Sequence, residues 1–423
     1  MPPSSASRPL PSSLLTAWLA VAAFSCYFCV YAFRKPFTAG TFEGLTLWGV
    51  DYKIVLVIAQ VFGYAASKGL GIRLISETAP HQRARRILGL VGFAELALVG
   101  FALVPPPYNW PFLFLNGLPL GLVYGLVFGF LEGRRVTDLL GAGLCMSFIV
   151  ASGVTKSVGR WLVVDVGLSE YAMPAVAGLL FVPLLGLSVW ALRAAPPPDA
   201  ADVAARAPRP PMTAADRRRF FRALAPGLVL LVGVYVLITI LRDVRDNFAV
   251  ELWAELGVTT PGVLAVSETG VGVLVTAAIG LLFLVKNNRR AFNANLLFIG
   301  AGALLVPLST WAFGQGWLSP LSWMVAVGLG VYLAYVPYNG MLFDRLIALL
   351  PERANVGFVL YLADFAGYLG SVAVMLVKNF GDVRLSWLQF YIGFAYGAAG
   401  LALLLLAGAW GYFDNRLRPK DIR

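Results

Sequence analysis

APPPDAADVAARAPRPP, residues 195–211, interrupts a chain otherwise made of long apolar runs. Proline, alanine and charge crowd this stretch, so it reads as an extended or disordered linker rather than a packed element. Its reading decides the fold, because six apolar runs lie on each side of it. Before it they fall at 14–37, 52–73, 87–105, 110–132, 142–164 and 171–192; after it, at 224–247, 261–285, 292–313, 319–343, 355–377 and 386–412. The uncharged run 291–343 is too long for one span, and GQGWLSP at 314–320 divides it into two helices with a tight turn. Each run supplies about the 20 apolar residues that a membrane-spanning helix requires.

Composition points the same way. Of 423 residues 59% are hydrophobic and 13% charged, and the mean hydropathy is +0.77. Soluble domains are roughly 45–50% apolar and about a quarter charged. The net charge of +11 does not indicate nucleic acid, because the basic residues sit in short segments between apolar runs, where they encode orientation. The single histidine, His81, lies in a basic loop, which excludes a histidine-based metal site or a buried histidine base. Cys26, Cys29 and Cys145 all lie in apolar runs, so the CxxC spacing of the first two reads as small packing residues. No cofactor, metal or cleavable signal peptide is expected, and an enzyme is not, since no Gly-rich phosphate loop or metal-ligand set is present.

Alternate loops carry the cations. With the N-terminus inside, 24 of the 33 Lys and Arg residues fall on the cytoplasmic side, so both termini are expected to be cytoplasmic. The remaining nine are Arg34, Lys35, Lys53, Lys156, Arg160, Arg242, Arg245, Lys378 and Arg384, expected within the membrane or at its outer side. The chain divides into a tail (1–13), a six-helix half (14–192), a linker (193–222) ending in a short basic helix at Asp216–Arg222, a second half (223–412) and a tail (413–423).

The first span closes with VYAFRKPF, residues 30–37, and the seventh with LRDVRDNF, residues 241–248. An offset of 211 maps Arg34 onto Arg245 and Phe37 onto Phe248, and also Tyr124 onto Tyr335 and Arg134 onto Arg345. One offset serving two separate helix pairs indicates duplication. The expected fold is all-α and membrane-integral, with twelve transmembrane helices in two pseudo-symmetric halves, the architecture of the major facilitator transporters.

Tyr31-Ala-Phe-Arg34-Lys35-Pro36-Phe37 resembles the Y-x-x-R-K-x-F signature of the organophosphate:phosphate antiporters of that superfamily. The resemblance implies that one arginine from the first helix and one from the seventh bind a substrate phosphate. Arg34 matches the first. For the second, the repeat offset selects Arg245, and placement just after Ile240-Leu241 selects Arg242. The chain also resembles an uncharacterised bacterial membrane family of the superfamily, carrying YAFRKPFTA followed by DYKI and SKGLGI stretches, which implies a bacterial inner membrane. Two features depart from the antiporters. Gly63-Tyr-Ala-Ala-Ser67-Lys68 lacks the usual Asp, and the fifth span carries Lys156 and Arg160 in place of a histidine.

A cation within the bilayer costs about 2.5–3.5 kcal/mol on insertion scales, so it faces a cavity or a partner. Arginines offer paired donors to phosphate or carboxylate. Arg34, Arg245, Arg242 and Lys156, with Tyr31, Gln60, Tyr338 and Asn339, are therefore the candidate substrate contacts, while Lys35 reads as snorkelling to the outer headgroups. Asp243 and Asp246 intersperse the arginines of the seventh span. An Arg242–Asp246 pair would leave Arg245 for substrate, and a salt-bridge cluster closing the outer gate is the alternative. Asp364 and Glu268 are the candidate proton carriers, Glu132 reads as a cytoplasmic hinge, and Glu95 stays open. The function expected is secondary transport of a small organic anion by alternating access, by a monomer, with protons or phosphate as coupling ion. The alternatives are a transporter-fold sensor or scaffold, or a carrier of a lipid-like or neutral solute.

Overall fold

The computed structural model describes residues 12–417 apart from 77, 132–133, 135–136, 198–213, 283, 351–355 and 382–384. Most of the linker, and Glu132, thus lie outside the described residues. Six long helices precede the linker: α1 (Ser12–Ala32), α2 (Tyr52–Ser76), α3 (Arg83–Leu103), α4 (Trp110–Leu131), α5 (Thr137–Val164) and α6 (Met173–Ala194). Among the described residues eight helices follow: α7 (Ala214–Asn247), short α8 (Ala249–Glu255), α9 (Gly262–Leu282), α10 (Asn288–Gly314), α11 (Pro320–Gly340), short α12 (Leu342–Ile347), α13 (Val356–Phe380) and α14 (Trp387–Leu417). Ten of the long helices are long and apolar enough to cross a membrane, and α2 contains a shorter apolar stretch, Tyr52–Ser67.

The duplication read from the sequence recurs in the packing. In the first half α1 packs on α4, α5 and α6, α2 on α4, and α3 on α4 and α6. In the second, α7 packs on α11, α13 and α14, α9 on α11, and α10 on α11 and α14. The halves meet along two seams, α5 against α9 and α2 against α13, which the same correspondence interchanges. At the first seam Gly153 of α5 comes so close to α9 that an added Cβ would strike the Leu264 carbonyl and lie 2.5 Å from the Glu268 Cβ. The outer faces of the bundle present Leu96, Leu187, Trp190, Leu281 and Leu404. Exposed apolar surface on this scale is a liability in water and costs nothing against lipid tails, so the chain is a multi-pass membrane protein.

Two of the departures from the expected boundaries have a plain local cause. The basic segment Asp216–Arg222 is no separate helix but the first turns of α7, because alanine, arginine and phenylalanine give the helix no reason to stop. The first span ends at Ala32 rather than 37. Proline has no N–H and disfavours helix at the residue before it, so Pro36 ends the helix early. Beyond the break a 3-10 turn (Pro36–Ala39) leads to a two-residue hairpin pairing Thr46–Leu47 with Val50–Asp51. Its turn residues, Trp48 and Gly49, both have positive φ (54° and 73°), as a two-residue hairpin loop of the right twist demands.

Candidate functional site

The break in α1 builds the site. After Tyr31 the chain tightens: the amides of Arg34 and Lys35 both donate to the Tyr31 carbonyl, at 3.0 and 2.8 Å. Carbonyls at the break lose their helical partners and must find others. Gln60 of α2 donates to the Arg34 carbonyl at 2.9 Å, and Asn116 of α4 donates to the Phe33 carbonyl at 2.9 Å. The two amides are themselves joined at 2.8 Å, and Asn116 also donates to Ala94 of α3 at 3.1 Å. Gln60, expected at the substrate, instead holds backbone.

This clamp places the Arg34 side chain in a cavity of about 210 Å³ between the halves. Its guanidinium lies 4.0 Å from the centre of the Tyr64 ring and 5.8 Å from that of Tyr31. Among the described residues no carboxylate pairs with it, and its buried Nε has no hydrogen-bond partner. Arg242 enters from the opposite wall, 4.1 Å from the centre of the Tyr335 ring. It is already engaged: Asp243 accepts from its Nε and Nη2 at 3.1 and 2.7 Å, and accepts from Ser371 at 2.7 Å on its other oxygen. The expected Arg242–Asp246 pair does not form, because Asp246 is drawn to the other half. Tyr31, Asn339 and Asp364 also line the cavity. Asp364 accepts from the Tyr235 hydroxyl, which lies 3.2 Å from that of Tyr335.

Asp246 closes the end of the cavity away from the termini. Lys35 and Lys156 of the first half both form ion pairs with it, the latter at 2.6 Å, and Ser152 donates to it. Lys35 also donates to Asn247 at 2.9 Å. It is 7% exposed, so it does not snorkel to headgroups; a buried carboxylate holds it inside. Farther out Lys53 pairs with Glu251, and Asn379 accepts from the Asp51 amide at 2.9 Å while donating to the Gly49 carbonyl at 3.1 Å. These bonds join first half to second.

Arg245 points elsewhere. It is 2% exposed and pairs with Glu268 of α9 at 2.7 Å, while donating to the Met324 carbonyl at 3.0 Å. Gly328 makes room for it: a Cβ there would lie 2.6 Å from an Arg245 nitrogen. Neither Arg245 nor Glu268 lines the cavity, and Tyr338 donates to the Leu231 carbonyl at 3.0 Å within the second half. Arg34, Arg242, Tyr31, Asn339 and Asp364 are thus brought together, and Lys156 reaches the cavity edge through Asp246. Sequence reasoning missed Tyr64, which carries the Arg34 guanidinium, and Tyr27 and Tyr332 in the walls. The four-residue spacing of Tyr27 and Tyr31 was the available signal.

The charge arrangement is asymmetric. Four cations, Arg34, Lys35, Lys156 and Arg242, face or adjoin the cavity with three carboxylates, Asp243, Asp246 and Asp364. Among the described residues the carboxylates that form ion pairs at the cavity serve Arg242 and the two lysines, and none pairs with Arg34. In a low-dielectric setting an unmatched guanidinium attracts an anion strongly.

Comparison with known proteins bears on the fold. The sequence pattern of a family of unknown function (DUF5690) matches residues 36–416. No curated protein sequence matches the chain. Among solved structures, a D-xylose-proton symporter superposes with TM-score 0.63 at 13% identity, covering 93% of this chain and 96% of that one. A bacterial homologue of the human lysosomal transporter Spinster, inward-facing and unoccupied, gives TM-score 0.63 at 13% identity, covering 95% and 99%. The nucleoside transporter NupG gives 0.57 at 15% identity, covering 93% and 98%. At such identities the likeness establishes the fold, which is that of the major facilitator transporters.

Proposed function

The chain belongs to the DUF5690 family of unknown function, and from its cavity we propose that it is a secondary transporter of a small organic anion, carboxylated or phosphorylated. The observation that carries this reading is Arg34, a cavity-facing guanidinium without a carboxylate partner among the described residues. A buried cation is costly unless something negative joins it, and a solute anion fits that role. Arg242 supports it from the facing wall once its pairing with Asp243 is shared. The solved structures of similar fold are named as a D-xylose-proton symporter, a nucleoside transporter and a bacterial homologue of a lysosomal transporter. We place the protein in a bacterial inner membrane with cytoplasmic termini, from the cation-rich loops at that end. The bonds around Asp246 then seal the outer end, and the cavity serves the inner side. Transport proceeds by rocking of the halves about the two seams.

The test is thermal stabilisation of the purified protein by a panel of phosphorylated and carboxylated metabolites, on wild type and Arg34→Ala together. Binding to the folded state raises the melting temperature by mass action. One anion class stabilising wild type alone supports the reading, and flux of that class in proteoliposomes completes it. Binding without flux indicates a sensor. If no anion stabilises wild type while Arg34→Ala lowers the baseline, the anion reading falls.

A further inference from the structure

Glu95 lies near the middle of α3, 9% exposed, and neither of its carboxyl oxygens has a hydrogen-bond partner among the described residues. It is wedged between helices. A Cβ added at Gly178 of α6 would strike its Oε2 and lie 3.0 Å from the Phe33 ring, so Glu95 and Phe33 meet over the same glycine. Other buried carboxylates have a cation or a hydrogen-bond donor beside them: Glu268 has Arg245, Asp246 has two lysines, and Asp364 accepts from Tyr235. Glu95 has none. Helix α4 has no charged residue, and the only one in α6, Arg193, is 15 residues from Gly178, about 22 Å along the axis. On α3 the nearest cation, Arg86, is nine residues away, about 13 Å, and is held by Thr78 and Gln82; His81 lies farther still. From α1 the titratable groups are Cys26, Tyr27, Cys29 and Tyr31. Past the break come Arg34, turned to Tyr64, and Lys35, paired with Asp246.

An ionised carboxyl in such a place costs several kcal/mol; as a neutral acid it costs far less. Glu95 is also wired to the anion site. The carbonyl of Ala94, its chain neighbour, accepts from Asn116. The same amide group holds the Phe33 carbonyl, and through Gln60 it reaches the Arg34 carbonyl. We propose that Glu95 is the proton-binding site of the transport cycle: it carries a proton in the conformation described, and its release shifts the broken end of α1 that presents Arg34. When α3, α6 and α1 part enough to admit water, the carboxyl O–H breaks, the proton passes to water, and the carboxylate left behind cannot be reburied in the same place. The inference rests on the transporter reading, and names a proton as its coupling ion.

The experiment uses the full chain in detergent, without any solute, over a series of pH values. It compares wild type with Glu95→Gln, the nearest mimic of the neutral acid, and Glu95→Met as an apolar second variant. Melting temperature and backbone hydrogen exchange over residues 33–42 are measured at each pH. Comparing variants at one pH cancels the intrinsic pH dependence of exchange. The protonated folded state is favoured at acid pH, so its stability is present there and lost as pH rises. At acid pH wild type and Glu95→Gln melt together; as pH rises wild type falls behind by several degrees, and exchange over 33–42 becomes several-fold faster in wild type alone. Identical profiles in wild type and both variants overturn the proposal. A melting difference without an exchange difference leaves Glu95 titrating but uncoupled from α1, which also overturns it. No anion enters the measurement, so the anion reading fails or stands separately, in its own melting panel.

Discussion

Arg34 lies just past the end of the first helix of one half, and Arg245, 211 residues later, lies in the last turn of the first helix of the other. The first stands in a cavity over a tyrosine ring with no carboxylate beside it among the described residues. The second is locked to Glu268 behind the wall. The difference comes from the backbone before them. Helix α1 stops at Ala32 and tightens ahead of Pro36, whereas α7 runs unbroken to Asn247. A break resets the direction in which the next side chain leaves the axis, so equivalent positions cease to be equivalent in space. By the same offset it is Arg242, aligned with Tyr31, that shares the cavity. A duplicated residue keeps its role only where the helix around it keeps its phase.

That comparison can be broken by substitution. Arg245→Ala removes the partner of a buried carboxylate and should cost about 3–5 kcal/mol, read as a large loss of melting temperature; Arg245→Leu with Glu268→Leu should recover most of it. Recovery failing would give Arg245 a role beyond pairing. Asp246→Asn comes next: it deprives two lysines at once, but its side chain is less buried than that of Glu268; a loss of about 2–3 kcal/mol is expected, with faster labelling of a cysteine placed at the end of the cavity that Asp246 closes. Arg34→Ala should leave the baseline melting temperature nearly unchanged, since no partner is orphaned, yet weaken a stabilising anion by about 10- to 100-fold, the worth of a charged hydrogen bond. If its baseline instead falls as far as that of Arg245→Ala, the two arginines are alike and the contrast is wrong. Gln60→Leu should have the smallest effect, about 1 kcal/mol. It should appear mainly as weaker anion binding, because the Arg34 carbonyl loses its anchor while the arginine itself remains.

The helices were legible because each needed only a run of apolar residues and a boundary, and the bilayer tolerates few other solutions. The halves were legible from the linker and the offset. Arg34 could be placed because a cation so deep must face something. The partners of Arg242, Arg245 and Asp246 could not be assigned. Four charges within five residues of one helix permit several pairings, and the outcome depends on Lys35, Lys156 and Glu268, which lie on three other segments. Gln60 was misplaced for a related reason. A polar residue in a membrane helix signals a hydrogen bond, but not whether its partner is a solute or a carbonyl freed by a neighbouring break.

Gly153 has a consequence for experiment as well as for packing. An alanine there would press one methyl group on Leu264 and Glu268 across the seam, while no residue lining the cavity would change. Under the proposed rocking of the halves the substitution acts as a shim between them: it would bias which conformer is populated, and a solute's apparent affinity would scale with the fraction of molecules ready to receive it. One carbon atom, on a residue that does not itself line the cavity, would thus test whether the seam between the halves must move for the proposed transport.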